Sequence, residues 1–389
     1  MEMLLNEAII QLQKYIESEN FKGYDPYDTL NSWIPFHWFG KYGQFAAIQI
    51  QKRNPVNIRP LIGIQKDAIP KAYALFLHAY SLLYQISKKS EYKENMDFFF
   101  NWFKTNKLNG YKGYCWSKNF ALTNVDSQRP KVDPSSVLAA FVGEAMFEYH
   151  NATKNPEAID MINGICAFII NHVPVYKTGD NYCYSYTTTH QDFVHNANLH
   201  VAELFAKAYS LTKKEIYKDN AIKATNFTVK QQKGDGSWSY RIYPDGSEKM
   251  QIDFHQGFIL NSIYFVNKYI GNNNTYLNSI NKGAEFYKKK QFNNDGSSIY
   301  RFPKKYPIDI HNQAQGIITF SLLKDLNTEY LPFAEKIAEW TIKNMQNKKE
   351  GYFYYKKYPY FTNKIPYIRW NQAWAFLSLS YLLYTKNFN

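Results

Sequence analysis

The sequence predicts an all-α fold: an (α/α)6 toroid of six helical hairpins with short β-hairpin loops at one mouth, spanning residues 1–389 as one domain. Three observations predict it. Apolar helical segments recur at a near-constant interval, with His195, His255, His311 and Trp370 opening four of them at spacings of 60, 56 and 59. Amphipathic segments alternate with the apolar ones. The connections are unequal, short after each apolar segment and long before it.

The apolar segments each begin in a polar cluster. They are VHNANLHVAELFAKAY from Val194, FHQGFILNSIYFVNKY from Phe254, IHNQAQGIITFSLL from Ile310 and WNQAWAFLSLSYLLY from Trp370. DPSSVLAAFVGEAMFEY from Asp133 and PKAYALFLHAYSLLY from Pro70 align with them upstream. Apolar on most sides, these six read as inner helices. The amphipathic helices run over Leu4–Glu19, Glu91–Thr105, Pro156–His172, Lys214–Gln231, Thr275–Lys290 and Leu331–Gln346. Lys and Glu at helical spacing mark their outer faces as wet. A single hairpin cannot bury its apolar face, so consecutive hairpins stack. Six of them suit a closed ring, and an open solenoid is the alternative.

Ser210–Lys214 and Tyr269–Asn274 are short inner-to-outer turns, whereas the outer-to-inner loops are some 20 residues long. Long loops on one face of a scaffold carry binding residues. Four of them repeat a glycine, three residues, a mostly aromatic position and a cation. The repeats are GYCWSK (Gly113–Lys118), GSWSYR (Gly236–Arg241), GSSIYR (Gly296–Arg301) and GYFYYK (Gly351–Lys356). GDNYCY from Gly179 keeps the aromatics and lacks the cation. The alternation reads as a short strand with one wet face, and Tyr243-Pro244-Asp245-Gly246 as a tight turn. Two readings are open. The aromatics seal helix tops and the cations are solvated strand ends. Or Tyr186, Trp238, Tyr240 and Tyr300 line a mouth with Lys118, Arg241, Arg301, Lys356, Arg369 and Asn371 around it. Aromatic planes stack on sugar rings and Arg forks bind carboxylate or phosphate, so the second reading favours an anionic, ring-containing ligand.

The inner-helix starts carry groups capable of chemistry: Asp133, Asp192 with His195, Asp253 with His255, Asp309 with His311, and Arg369 with Asn371. Asp caps helices well. His does not, so three His at one repeat position ask for another account. Convergent His195, His255 and His311 suit general acid–base work near neutral pH. Asp192 and Asp253, from adjacent hairpins, are the pair to test for hydrolysis. No HxxxE, HExxH or CxxC spacing, Walker loop, dinucleotide fingerprint or nucleophile elbow occurs, so no metal or cofactor is expected.

Composition narrows the partners. The net charge is +13, part of it background in a Lys-, Asn- and Tyr-rich chain. No run of five Lys or Arg and no nucleic-acid motif accompanies it, so nucleic acid is not expected. Aromatic residues make up 18% of the chain, yet mean hydropathy is −0.50. Three scattered cysteines (Cys115, Cys166, Cys183) argue for a reducing compartment. Glu2 and Glu7 stand where a signal peptide carries cations. The longest apolar stretch, Ala72–Tyr84, is too short to span a bilayer. The expectation is a soluble, cytoplasmic protein of undetermined oligomeric state.

Gln232-Lys-Gly-Asp-Gly236-Ser-Trp238 resembles the QxxxGxW pattern of triterpene cyclases, where it ties a helix end to the next loop. With no acidic cyclase cluster beside it, isoprenoid cyclisation is not implied. The whole-chain layout resembles the six-hairpin toroids that act on carbohydrates. Among these are unsaturated glucuronyl hydrolases, N-acylglucosamine 2-epimerases, uronyl C5-epimerases, toroid polysaccharide lyases and the bacterial toroids of surface-polysaccharide biosynthesis. The resemblance implies an enzyme working on an acidic sugar or oligosaccharide, as an epimerase, lyase or glycoside hydrolase. A non-catalytic glycan-binding toroid is the alternative.

Overall fold

The computed structural model describes residues 1–125, 127–243 and 245–388. Its helices are α1 (Glu2–Ser18), α2 (Gly40–Arg53), α3 (Pro70–Ser87), α4 (Ser90–Thr105), α5 (Ser136–Thr153), α6 (Glu157–His172), α7 (His195–Thr212), α8 (Glu215–Val229), α9 (His255–Ile270), α10 (Asn274–Gln291), α11 (Ile310–Leu322), α12 (Tyr330–Met345) and α13 (Trp374–Asn387). Inner helices α3, α5, α7, α9, α11 and α13 pack in succession, and α13 returns to α3. The ring is closed, with α1 seated against α12 and α13 as the sixth outer helix.

The patterning explains the layers. Inner α7 buries every residue from His195 to Ala208. Outer α10 buries a stripe through Tyr276, Ile280, Ala284 and Tyr287, one helical face. At the short turns, α3, α5 and α7 end on Lys88, Lys154 and Lys213 in the left-handed conformation, with φ of 55°, 60° and 57°.

The repeated glycines are set by contact as well as by φ. Gly113, Gly236, Gly296 and Gly351 have φ of +103°, +99°, +92° and +86°. A Cβ on each would fall 2.3, 2.5, 2.7 and 2.3 Å from a carbonyl oxygen of the next outer helix, at Gly164, Lys282, Lys336 and Gln11 respectively. Two residues further on, in three of these loops, an inner-helix glutamine accepts from the backbone N–H. Gln256 takes Trp238 at 3.0 Å, Gln313 takes Ser298 at 2.6 Å and Gln372 takes Phe353 at 2.8 Å. Gln232 donates to the carbonyls of Gly236 and Ser279, both at 3.0 Å, the tie that the QxxxGxW resemblance implied.

Two features differ from the sequence reading. The glycine-to-aromatic stretches are irregular, and pairing begins at the cations: Arg241–Ile242 pairs with Glu248–Lys249, and Lys356–Lys357 with both Ile308–Asp309 and Thr362–Asn363. The amide clamps hold those stretches against helix tops, which removes the strand ladder. The turn is closed by the Gly246 N–H on the Tyr243 carbonyl at 2.9 Å, and Pro244 lies outside the described residues. The second difference is α2, in a first outer-to-inner connection far longer than the others. Only Ile48 and Gln51 of this helix are buried, too few to make the apolar stripe that would announce it. Among the described residues no helix is long and apolar enough to cross a membrane.

Candidate active site at the toroid mouth

Each repeated cation meets a carboxylate at the start of an inner helix. Arg241 lies 3.4 Å from Asp192, Arg301 3.4 Å from Asp253 and Lys356 3.2 Å from Asp309. In these three pairs the loop reaches back to the preceding inner helix. Lys118 lies 4.0 Å from Asp133 of its own loop, and Arg369 grips Asp25 with two bonds of 2.5 and 2.8 Å. The rim is therefore a circle of ion pairs. Neither a mouth of uncompensated cations nor a set of solvated strand ends describes it.

Inside the rim, His255 Nδ1 sits 2.5 Å from Asp253 Oδ1, whose oxygen also accepts the His255 backbone N–H at 3.2 Å. Gln251 donates to the other Asp253 oxygen at 2.8 Å. Burial pushes this carboxyl up, but His255 and Arg301 outweigh it and hold it below the usual carboxylate range. Asp192 shifts the other way: burial raises it, against the Tyr186 N–H and Arg241. Tyr240 stands edge-on to His255 at 4.8 Å, and burial chiefly raises its phenol.

A row of rings leads away from His255. Phe254 stacks on His255 at 4.2 Å and on His311 at 4.0 Å, and His311 lies 4.5 Å from Trp374. Lys71 then caps Phe141 at 3.8 Å and Trp374 at 5.4 Å. Both nitrogens of His311 are buried without a hydrogen bond. Burial first, then Lys71 and His255, hold this ring well below its ordinary value, so it is neutral. Burial, then Arg369, likewise drives Lys71 well below an ordinary lysine. Sequence reading missed Lys71. Its signal is its place in the first turn of α3, where other repeats carry His255 or His311.

Several expected contacts are corrected by burial. His195 has no exposed surface, and its Nδ1 lies 3.4 Å from Thr228 Oγ1 on α8, away from the mouth. Trp238 is fully buried with its indole N–H on the Thr228 carbonyl at 2.9 Å, leaving no face for a ligand. Asn371 is spent on the carbonyls of Phe353 and Ile365 at 3.1 and 2.8 Å. Lys356 is buried over the Tyr355 ring at 4.4 Å and serves Asp309. Tyr186, Tyr240, Tyr300, Arg241, Arg301, Lys118 and Arg369 keep partial exposure. Taking the clamping amide as the marker of register, Phe254, His311 and Trp370 are equivalent, and His255 matches Asn312 and Asn371.

Deeper on the axis, α5 and α7 bring together Glu144, His200 and Glu203, whose ligand atoms lie within 4.8 Å of one another. This is the set with metal-ligand chemistry among the described residues, assembled by tertiary structure from spacings that carry no motif. Lys207 Nζ, 2.6 Å from Glu203, already supplies positive charge there. Burial raises Glu144 to about 7 and lowers His200 to about 3.

Closed ring, alternating layers and a single loop-built mouth define the class: an (α/α)6 toroid. Solved structures with this architecture include cellobiose 2-epimerase from Bacillus thermoamylovorans, with a TM-score of 0.69 and 16% identity over 98% of this chain and 100% of that one. A glycoside hydrolase family 76 mannosidase from Bacteroides thetaiotaomicron gives 0.67 and 15% over 97% and 98%. A D-mannose isomerase gives 0.64 and 15% over 82% and 86%. At these identities the likeness is one of fold. No protein-family model matches the sequence, and no curated protein matches it.

Proposed function

We propose that this chain is a carbohydrate-active enzyme that moves a proton at a carbon beside a carbonyl or carboxylate, as in epimerisation or lyase-type elimination. The observation that carries this reading is the 2.5 Å contact between His255 Nδ1 and Asp253. That contact occupies one ring nitrogen, fixes the ring and leaves Nε2 as the atom for a substrate proton. The ionised Asp253 then stabilises the imidazolium. Arg301, its side chain 46% exposed, is the group to neutralise an enolate or uronate carboxylate. Tyr240 and Tyr186 offer faces to a sugar ring. This favours an acidic sugar or glycan, as surface-polysaccharide metabolism supplies. The names of the structural neighbours, a 2-epimerase and an isomerase among them, agree with proton transfer.

Hydrolysis by Asp192 and Asp253 has less support. Both oxygens of Asp253 are engaged, by His255 on one side and by Gln251 and Arg301 on the other. The test is solvent exchange. Incubating the protein in deuterated water with uronates, acidic oligosaccharides and neutral aldoses should incorporate deuterium at one sugar carbon. His255→Ala should lower the rate roughly a hundredfold or more with the fold intact. A panel sugar that binds but neither exchanges nor cleaves would favour the glycan-binding alternative.

A further inference from the structure

The connection between α1 and α3 carries a surface the catalytic reading does not use. Residues Thr29 to Lys66 contain no Asp or Glu and five Lys or Arg. Within this run, α2 and the residue before it turn large apolar side chains outward as well as inward. Phe39, Tyr42, Ala46, Ile50 and Arg53 fall on one helical face at spacings of three and four, and that face is exposed. Tyr42 is 77% exposed and Ile50 71%, with Trp38 at 77% just before the helix. The opposite face turns Ile48 inward together with amides. Gln51 is buried, and Gln44 accepts from Thr123 Oγ1 at 2.7 Å. Large apolar groups grouped on a surface mark an interaction site.

The patch borders the mouth. Gln44 joins α2 to the hairpin before α5, and Lys52 lies 5.9 Å from the Trp370 ring at the edge of the site. Asn363 donates to the Asn54 carbonyl at 3.1 Å and so fastens the loop carrying Tyr360, which is 98% exposed, beside the end of α2.

We propose that this face docks on an anionic lipid bilayer and holds the toroid mouth against it. Trp, Tyr and Phe at the end of a short helix, with Lys and Arg beside them and acid absent, fit the boundary between headgroups and acyl chains. The charge decides between occupants. A two-fold contact with a second copy would set Lys41 and Arg53 near their own twins, and the run has no carboxylate to meet them. An anionic headgroup supplies the complement. Arg59 and Lys52 are turned inward to Asp28 and Tyr27 and Lys66 is paired with Glu19, so Lys41 and Arg53 carry the attraction.

Co-sedimentation of the full chain with vesicles tests this. With phosphatidylcholine vesicles containing roughly a quarter phosphatidylglycerol the protein should pellet, and with phosphatidylcholine alone it should stay in solution. Trp38→Ser combined with Phe39→Ser and Tyr42→Ser should reduce the pelleted fraction about tenfold while leaving the circular dichroism and Tm unchanged, because these side chains face solvent. Lys41→Glu with Arg53→Glu should do the same. The proposal is overturned if the chain ignores both vesicles, or if the triple variant pellets as well as the parent. It is also overturned if light scattering shows a dimer that the triple variant splits, which would make the face a contact between copies.

Discussion

Gln346, at the end of α12, donates to the carbonyl of Ala8 in α1 at 3.1 Å and to that of Gly351 at 3.0 Å. Gln232 makes the same two-way tie between α8 and α10. The ring is thus closed with the device that joins its interior hairpins. The first and last outer helices are linked as neighbours although 338 residues separate the bonded pair.

This tie predicts the effect of opening the ring. Gln346→Ala leaves two carbonyls without the donor and should cost about 1–3 kcal/mol, read by urea unfolding. Gly351→Ala adds a Cβ against the Gln11 carbonyl at positive φ and should cost more than about 2 kcal/mol. A neutral result for both would mean that helix packing alone closes the ring.

Arg301→Gln should weaken binding of an acidic sugar much more than of its neutral counterpart, as measured by calorimetry. Because Asp253 keeps His255 and Gln251 as partners, Tm should move little. Equal weakening for both sugars would assign Arg301 to positioning Asp253 and not to the ligand.

His195 predicts a pH effect. Burial, with a smaller contribution from Lys233, lowers it to about 4 from 6.5. Between those values the unfolded chain binds the proton and the folded chain does not, so stability is lost as pH falls from about 6.5 towards 4. At pH 5 the loss from this one group is on the order of 2 kcal/mol. His195→Gln should flatten the acid side of the stability profile by that amount while leaving deuterium exchange at neutral pH intact. An unchanged profile would show that the ring is protonated in the fold.

The short turns predict a gain. Lys154 has φ of +60° at the end of α5, a conformation that glycine adopts without a Cβ penalty. Lys154→Gly should raise stability by up to about 1 kcal/mol, visible as a higher Tm. The same change in mid-helix, at exposed Lys282 of α10, should lower it by about as much.

The repeat, the two helical layers and the glycine positions were legible in the sequence because each is a local property. Apolar periodicity records which faces are buried, and a glycine at positive φ marks its own turn. The six hairpins follow from these. What each polar side chain does was decided by tertiary structure. Arg301 and Asp253 come from different hairpins, and no spacing within either reveals the pair. Lys71, His255 and His311 meet one mouth only because the ring brings three helix starts together. The histidines show the limit most clearly. His195 precedes its clamping amide, Asn198, by three residues, and His255 precedes Gln256 by one. Two residues on an α-helix turn a side chain by about 200°. One imidazole therefore braces an outer helix and the other faces the mouth, a difference set by the register of the loop-to-helix clamp.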